Sequence, residues 1–349
     1  MRSSRRRFVT GAAASATAAA AGLSSSAWRT AAAAAGPAGE LTLKLATVAP
    51  DGTPWAEQLQ VYKQKVEAAA KGRLRVKLFL GGALGDENQT VAECRRGAIQ
   101  LWGGTTGALA SSVPEISVLE LPYLFRNPEE ADRVLDGVLA VDMRRLLAAR
   151  GFVLLFWAEN GYRSFGTKWG PVKGPADLKG HKMRSQESQV HLEMYRALGA
   201  LPQPIAVTEV LPALQTGVVD GFDNTPLYAF AASWQLGIKH FSLSEHIYQP
   251  GVVLASKKEF DKLPADLQSA LMADVAKIQA DGRTAVRDMA PLLVDNFTNA
   301  KIPVYRLTAA EKDAFAAATR GVHDKFIKSV SAAKPLYAKI RGALGAGRP

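Results

Sequence analysis

Hydrophobic and polar positions alternate with period two in "LTLKLATV" (41–48), where Leu41, Leu43 and Leu45 share a face, and again in "RLRVKLFL" (73–80) through Leu74, Val76, Leu78 and Leu80. Both patterns predict strands. Between them, "TPWAEQLQVYKQKVEAAAKG" predicts a helix with Thr53 as N-cap, Pro54 at the first helical position and Gly72 past the end. A further helix over "ENQTVAECRRGAIQ" leads into the apolar "LW" and a Gly/Thr/Ser-rich segment, 103–112. That segment reads either as a tight turn or as a backbone edge close to a ligand. "GFVLLFWAENGYRSFG" (151–166) begins as a buried strand and turns polar at Glu159 and Asn160, as a crossing between two lobes would.

A second series follows: "GHKMRSQ" as strand, "VHLEMYRALG" as helix, "LPQPIAV" as strand, "TEVLPALQTG" as a short helix capped by Thr208 and ended by Gly217, and "VVDGFDN" as strand. The last third reads as helical. Leu267, Leu271, Val275 and Ile278 recur at helical spacing in a segment running toward Asn299, interrupted near Gly282 and Pro291, with a bend expected at Pro291. Alternation of strand and helix predicts an α/β protein with mostly parallel sheets. A chain of about 310 residues after its leader exceeds one comfortable core, so two lobes are expected. Their expected extents are 39–160 with 250–290 for the first and 161–249 with 291–345 for the second, and a long C-terminal helix spans both.

Residues 1–36 change the picture of location. "MRSSRRRFVTGAAASATAAAAG" is a basic patch followed by an Ala-rich run and small residues, the pattern of an export signal. Ser4-Arg5-Arg6-Arg7-Phe8-Val9 resembles the twin-arginine pattern, which implies the export machinery as a partner and the periplasm as destination. Cleavage is expected between Ala27 and Ala38, where several sites fit. Removing this segment takes five arginines and no acid, lowering the net charge from +11 to +6. With neither a dense basic run nor a basic stripe interleaved with aromatics, the chain does not read as a nucleic-acid binder. Past the leader, no apolar run reaches the roughly 18 residues of a membrane span.

Cys94 is the single cysteine, so no intramolecular disulfide can form, and it reads as a packing residue. The five histidines lack metal-ligand spacing, "GGALG" lacks the dinucleotide spacing, and the 103–112 segment lacks the Lys-Ser/Thr of a phosphate loop. No GxSxG elbow is present. No cofactor or metal is therefore expected, and no catalysis. What remains is a set of polar residues at the ends of expected strands: Arg163, Arg184 and Asn224, with Asn160 nearby. A planar guanidinium is the side chain best matched to a carboxylate. Trp102, Phe222 and Tyr228 are candidates to contact the ligand body, as is the backbone of 103–107, whereas Trp157 and Trp234 read as packing residues.

"PADLKGHKMRSQES", "ALGALPQPIAVTEVLPALQTGVVDGFDNTP", "FSLSEH" and "VVLASKKEFDKLPADLQ" resemble the DctP-type substrate-binding proteins of TRAP transporters. The resemblance continues upstream in "GGALGDENQTVAECRRGAIQ" and "VLELPYLFRNPEEADRVLDG" and covers nearly the whole chain past the leader. It implies a two-lobed periplasmic binding protein fold that closes over a small organic acid and delivers it to membrane permease subunits. It also implies that Arg184 holds the carboxylate, with Arg163 as second arginine and Asn224 as polar partner. Asp223 stands where the family often has Glu. Two other readings stay open here: an exported hydrolase-like enzyme with Glu159 or Asp223 as general base, and a ligand-sensing subunit for a membrane receptor. The long C-terminal helix also offers a surface for a homodimer.

Overall fold

A computed structural model of the chain describes residues 40–345. The expected export signal, its twin-arginine pattern and its cleavage region lie outside the described residues. The first series runs β1 (Leu41–Ala46), α1 (Pro54–Ala69), β2 (Leu74–Phe79), α2 (Glu87–Arg96) and β3 (Leu101–Thr105). Thr53 caps α1 through its side chain, which accepts from the Ala56 amide at 3.2 Å, and Pro54 opens it as expected. Asp86 caps α2 in the same way and Gly97, at φ +89°, ends it. β1 and β2 pair in parallel from Leu41↔Leu74 to Ala46↔Phe79.

The 103–112 segment is neither a turn nor a loop at its start. Gly103, Gly104 and Thr105 are strand, and Thr106–Leu109 is one helical turn. Gly104 has a packing reason: a Cβ there would lie about 2.0 Å from the Trp102 ring.

After α3 (Ala140–Ala149) comes β4 (Phe152–Thr167), then β5 (Lys182–Ser185), α4 (Gln189–Ala197), β6 (Leu201–Pro204), α5 (Val210–Gln215), β7 (Gly221–Asn224), α6 (Pro226–Ala231) and β8 (His240–Ser256). Thr208 does not cap α5. It lies in a 3-10 turn, Val207–Glu209, and Glu209 occupies the cap position without a side-chain bond. The sheet order is β2-β1-β3-β8-β4-β7-β5-β6, with β9 (Val304–Arg306) beside β8. Its two wings are parallel, as expected, while its centre is antiparallel. β4 and β8 form that centre and run side by side from Phe152↔Ser256 to Thr167↔His240. Two long strands therefore run through the centre of the α/β sheet.

The helical third contains α7 (Ala265–Leu271), α8 (Val275–Asn299), α9 (Ala309–Ser329) and α10 (Lys334–Leu344). The break falls not at Gly282 or Pro291 but before α8, at Asp274, whose φ is +55°. α8 continues through Gly282, where a Cβ would lie about 2.0 Å from the Gln58 amide of α1, so the glycine permits close helix contact. It reaches both lobes: Gln58 Nε2 donates to the Ile278 carbonyl at one end, and Phe297 stacks on Phe241 at 4.4 Å at the other. α10, placed above with the second lobe, packs Leu336, Ile340 and Leu344 into the cluster of Met143, Leu147 and Phe152. No helix of the described residues is long and apolar enough to cross a membrane.

Candidate functional site

β4, β7 and β5 are neighbours in the sheet, and polar residues at the ends of β7 and β5 meet polar residues inside β4. Ser164 pairs with Asn224, and Arg184 pairs with Phe222. This places Arg163, Asp223, Asn224 and Arg184 side by side, with Arg163 inside β4 and not at a strand end as expected, and the others at the ends of β7 and β5.

The two arginines have opposite electrostatic situations. Arg163 is 1% exposed and its Nε donates to Asp223 Oδ2 at 2.6 Å. Its Nη1 donates to Gln249 Oε1 at 2.7 Å and Asn224 Oδ1 at 3.3 Å, and its Nη2 to the Asp223 carbonyl. Burial acts to lower its pKa, but Asp223 outweighs that and holds it above the ordinary value. Asp223 also accepts from Tyr195 Oη at 2.8 Å. Burial opposes its ionisation, yet Arg163 and the His246 hydrogen bond keep its carboxyl well below the usual range.

Arg184 is 3% exposed and has no such carboxylate. Its Nε donates to the Ile205 carbonyl at 2.9 Å and its guanidinium carbon lies 5.3 Å from the centre of the Trp234 ring. Its two terminal nitrogens have no acceptor among the described residues. Burial first, and then the like charge of Arg163, push it down to about 10.

Both arginines line one small cavity of about 20 Å³. Asn160, Asn224 and Tyr228 line it too, as expected. Asn224 Oδ1 accepts from the Thr225 amide at 2.8 Å, leaving its NH₂ without an acceptor among the described residues. Two expected contacts are absent from the lining. Trp102 is buried in the core, where its indole N–H donates to Thr90 Oγ1 at 3.0 Å, because Trp102 and the cavity-lining Thr105 have opposite parity on β3. Phe222 lies two residues back from the end of β7 and packs edge-on against Trp234 at 5.0 Å. Trp157 and Trp234 are buried packing residues, and Trp234 also supports Arg184.

The lining includes Thr105, from the 103–107 segment, and residues the sequence pattern did not single out: Trp55, Glu87, Gln186 and Gln249. The indole N–H of Trp55 is buried without a partner. Gln186 Nε2 donates across the cleft to Thr105 Oγ1 at 2.7 Å, and its Oε1 accepts from Gln249 at 2.8 Å. Tyr228 Oη donates to the Val48 carbonyl at 3.2 Å, a second bridge between the lobes. Beneath them, His191 Nε2 lies 2.6 Å from Glu120 Oε2, both fully buried. Burial opposes ionisation of Glu120, but the His191 and Thr106 bonds outweigh it and lower its pKa. The cavity has room for little more than one water molecule, so a larger ligand enters only when these bridges part.

A larger cavity, about 340 Å³, lies on the α8 side of β4. Its Arg287 is already paired with Asp132 at 2.8 Å and Glu159 at 2.6 Å. The same pairing removes Glu159 as a general base, since it does not line the arginine cavity. Asp223 is held in its ion pair. Among the described residues no group of three or more His, Cys, Asp or Glu is placed to hold a metal.

A family model described as bacterial extracellular solute-binding protein, family 7 (DctP), matches residues 45–329. A solute-binding protein of Verminephrobacter eiseniae is 35% identical over 254 residues, covering 70% of this chain and 76% of its own. The 2,3-diketo-L-gulonate-binding periplasmic protein YiaO of Escherichia coli is 30% identical over 270 residues, 77% of this chain and 82% of its own. Among solved structures, a TRAP periplasmic solute-binding protein of Roseobacter denitrificans with bound β-D-glucuronate superposes with a TM-score of 0.82 at 26% identity, covering 86% of this chain and 98% of that one.

Proposed function

From the premise that this chain belongs to the DctP family of bacterial extracellular solute-binding proteins, we propose that Arg184 anchors the carboxylate of a small organic acid that the protein delivers to a TRAP-type permease. Proteins of this family bind their solute and perform no reaction on it. One observation carries the assignment of Arg184. It is a guanidinium 3% exposed that lines a cavity, with two terminal nitrogens for which no acceptor is found among the described residues. An unpaired buried charge is costly, and a ligand carboxylate removes that cost. Charge-assisted hydrogen bonds of about 1.5–3 kcal/mol each, from a forked pair and Asn224, supply much of the roughly 8 kcal/mol of a micromolar complex.

Arg163 plays a different part. Its donors are committed to Asp223, Gln249 and Asn224, so it orients Asn224 and contributes positive potential instead of gripping the ligand. Lobes bounded at 160/161 and 249/250 fit the long strands, since Glu159↔Pro250 and Gly161↔Gln249 flank a register shift there. A ligand that touches both lobes only when they are closed shifts the population toward closure. The twin-arginine pattern of Ser4–Val9 supports export to the periplasm, the compartment in the name of the Escherichia coli relative. Sugar-derived acids named for two of the relatives, 2,3-diketo-L-gulonate and D-glucuronate, come first in a ligand panel.

The test is a thermal-shift screen of the protein and its Arg184→Ala variant against organic acids. A ligand at a thousand times its Kd stabilises the fold by about 4 kcal/mol. A carboxylate that raises the melting temperature of the wild type and not of the variant supports the reading; equal responses would sink it.

A further inference from the structure

Glu87 stands at the start of α2, lines the same cavity as Arg184, and is 6% exposed. Its Oε1 accepts from the Thr105 amide at 2.8 Å and its Oε2 from Thr105 Oγ1 at 3.2 Å. Both donors are neutral, and no cation of the described residues forms an ion pair with it. The charged groups around it are Arg184 from β5, Arg163 from β4 and Glu120 from the turn Pro114–Glu120. Tyr228 from α6 lines the cavity too, and Glu187, after β5, bonds the neighbouring Asn88 at 2.7 Å. Burial drives the Glu87 carboxyl up to about 7, while Thr105 and then Arg184 pull the other way and Glu120 adds to the rise.

We propose that Glu87 makes ligand binding proton-linked: the anion that seats on Arg184 enters together with a proton that Glu87 takes up from solvent. The inference rests on Arg184 being the anchor. Arg184 is the cation that favours the ionised form of Glu87 across the cavity. A ligand carboxylate neutralises that influence and brings a like charge into the same enclosed space, and both changes favour the neutral acid. The new O–H bond forms on a Glu87 oxygen, most simply Oε2, whose single hydrogen bond is the longer one. The complex then holds the ligand's negative charge against Arg184 and no second carboxylate charge on the cavity wall. By linkage, a complex that binds one more proton than its free components weakens as pH rises.

The experiment is calorimetric titration of the protein with D-glucuronate, 2,3-diketo-L-gulonate and succinate in buffers of different ionisation enthalpy, for the wild type, Glu87→Gln and Arg184→Ala. The glutamine keeps an oxygen for the Thr105 amide, and a melting curve checks that it folds. Expected for the wild type are uptake of about half to three-quarters of a proton per ligand at pH 7.5 and binding at least about threefold weaker at pH 8.5 than at pH 6.5. Glu87→Gln should bind with no uptake and a flat profile. Binding without proton uptake by the wild type overturns the inference and leaves the anchor standing. Equal uptake by Glu87→Gln assigns the proton to another group and also overturns it. Binding of no acid by the wild type, or undiminished binding by Arg184→Ala, removes the anchor and this inference with it.

Discussion

Arg163 Nε lies 2.6 Å from Asp223 Oδ2, with both side chains at most 2% exposed. This pair distinguishes the two arginines of the cavity. β7 supplies Asp223 to the arginine on β4, and the arginine on β5 keeps its terminal nitrogens open.

Asp223→Ala should destabilise the protein by about 3–5 kcal/mol, since it leaves the Arg163 charge buried without a partner. Urea denaturation measures this. A loss below about 1 kcal/mol would mean that Gln249 and Asn224 suffice to hold Arg163.

Arg184→Ala should behave in the opposite way. Ligand affinity is expected to fall by about 100-fold or more, from the loss of two charge-assisted bonds. The melting temperature of the ligand-free protein should stay level or rise, because a buried cation without a carboxylate is removed. A large drop in that temperature would assign Arg184 to the scaffold.

Gln186→Ala removes the bond to Thr105 that crosses the cleft. A net contribution of about 1 kcal/mol corresponds to a roughly fivefold shift toward the open form. Small-angle scattering of the ligand-free variant should show a larger radius of gyration than the wild type. An unchanged radius would place the closing energy in other contacts, such as Tyr228 to Val48.

Glu87 also predicts a pH dependence of the ligand-free fold. Its folded pKa of about 7 exceeds the ordinary 4.5, so the folded state binds more protons than the unfolded state between those values. Stability on this account is fully present below about pH 4.5 and is lost as pH rises through 7, by about 1–3 kcal/mol. Glu87→Gln should narrow the difference between melting temperatures at pH 6 and pH 8. A wild type whose stability does not respond over that range would contradict the raised pKa.

The periodic segments were legible along the chain. Period-two runs at 41–48 and 73–80 became β1 and β2, and the Thr53-Pro54 start became a capped helix. β8 was not singled out as a strand. It is buried on both faces, so its polar "SEHIYQ" and apolar "GVVLA" show no alternation, and Pro250 interrupts the run. The expected breaks at Gly282 and Pro291 failed for a related reason. Packing of α8 against α1 and β4 outweighs local helix propensity.

The amino-acid sequence by itself determined the family, the first strands and helices, and the placing of Arg184 and Asn224 at strand ends, because these follow from local periodicity and motif, whereas Arg163 lies inside β4. Tertiary structure alone decided which arginine is paired and which is open, and which other residues share the cavity. Arg163 meets Asp223 at a separation of 60 residues, and Gln249 meets Glu120 at 129. Such pairings depend on strand register and on which face each side chain takes. A one-residue change of parity is enough to send Trp102 into the core while Thr105 lines the arginine cavity.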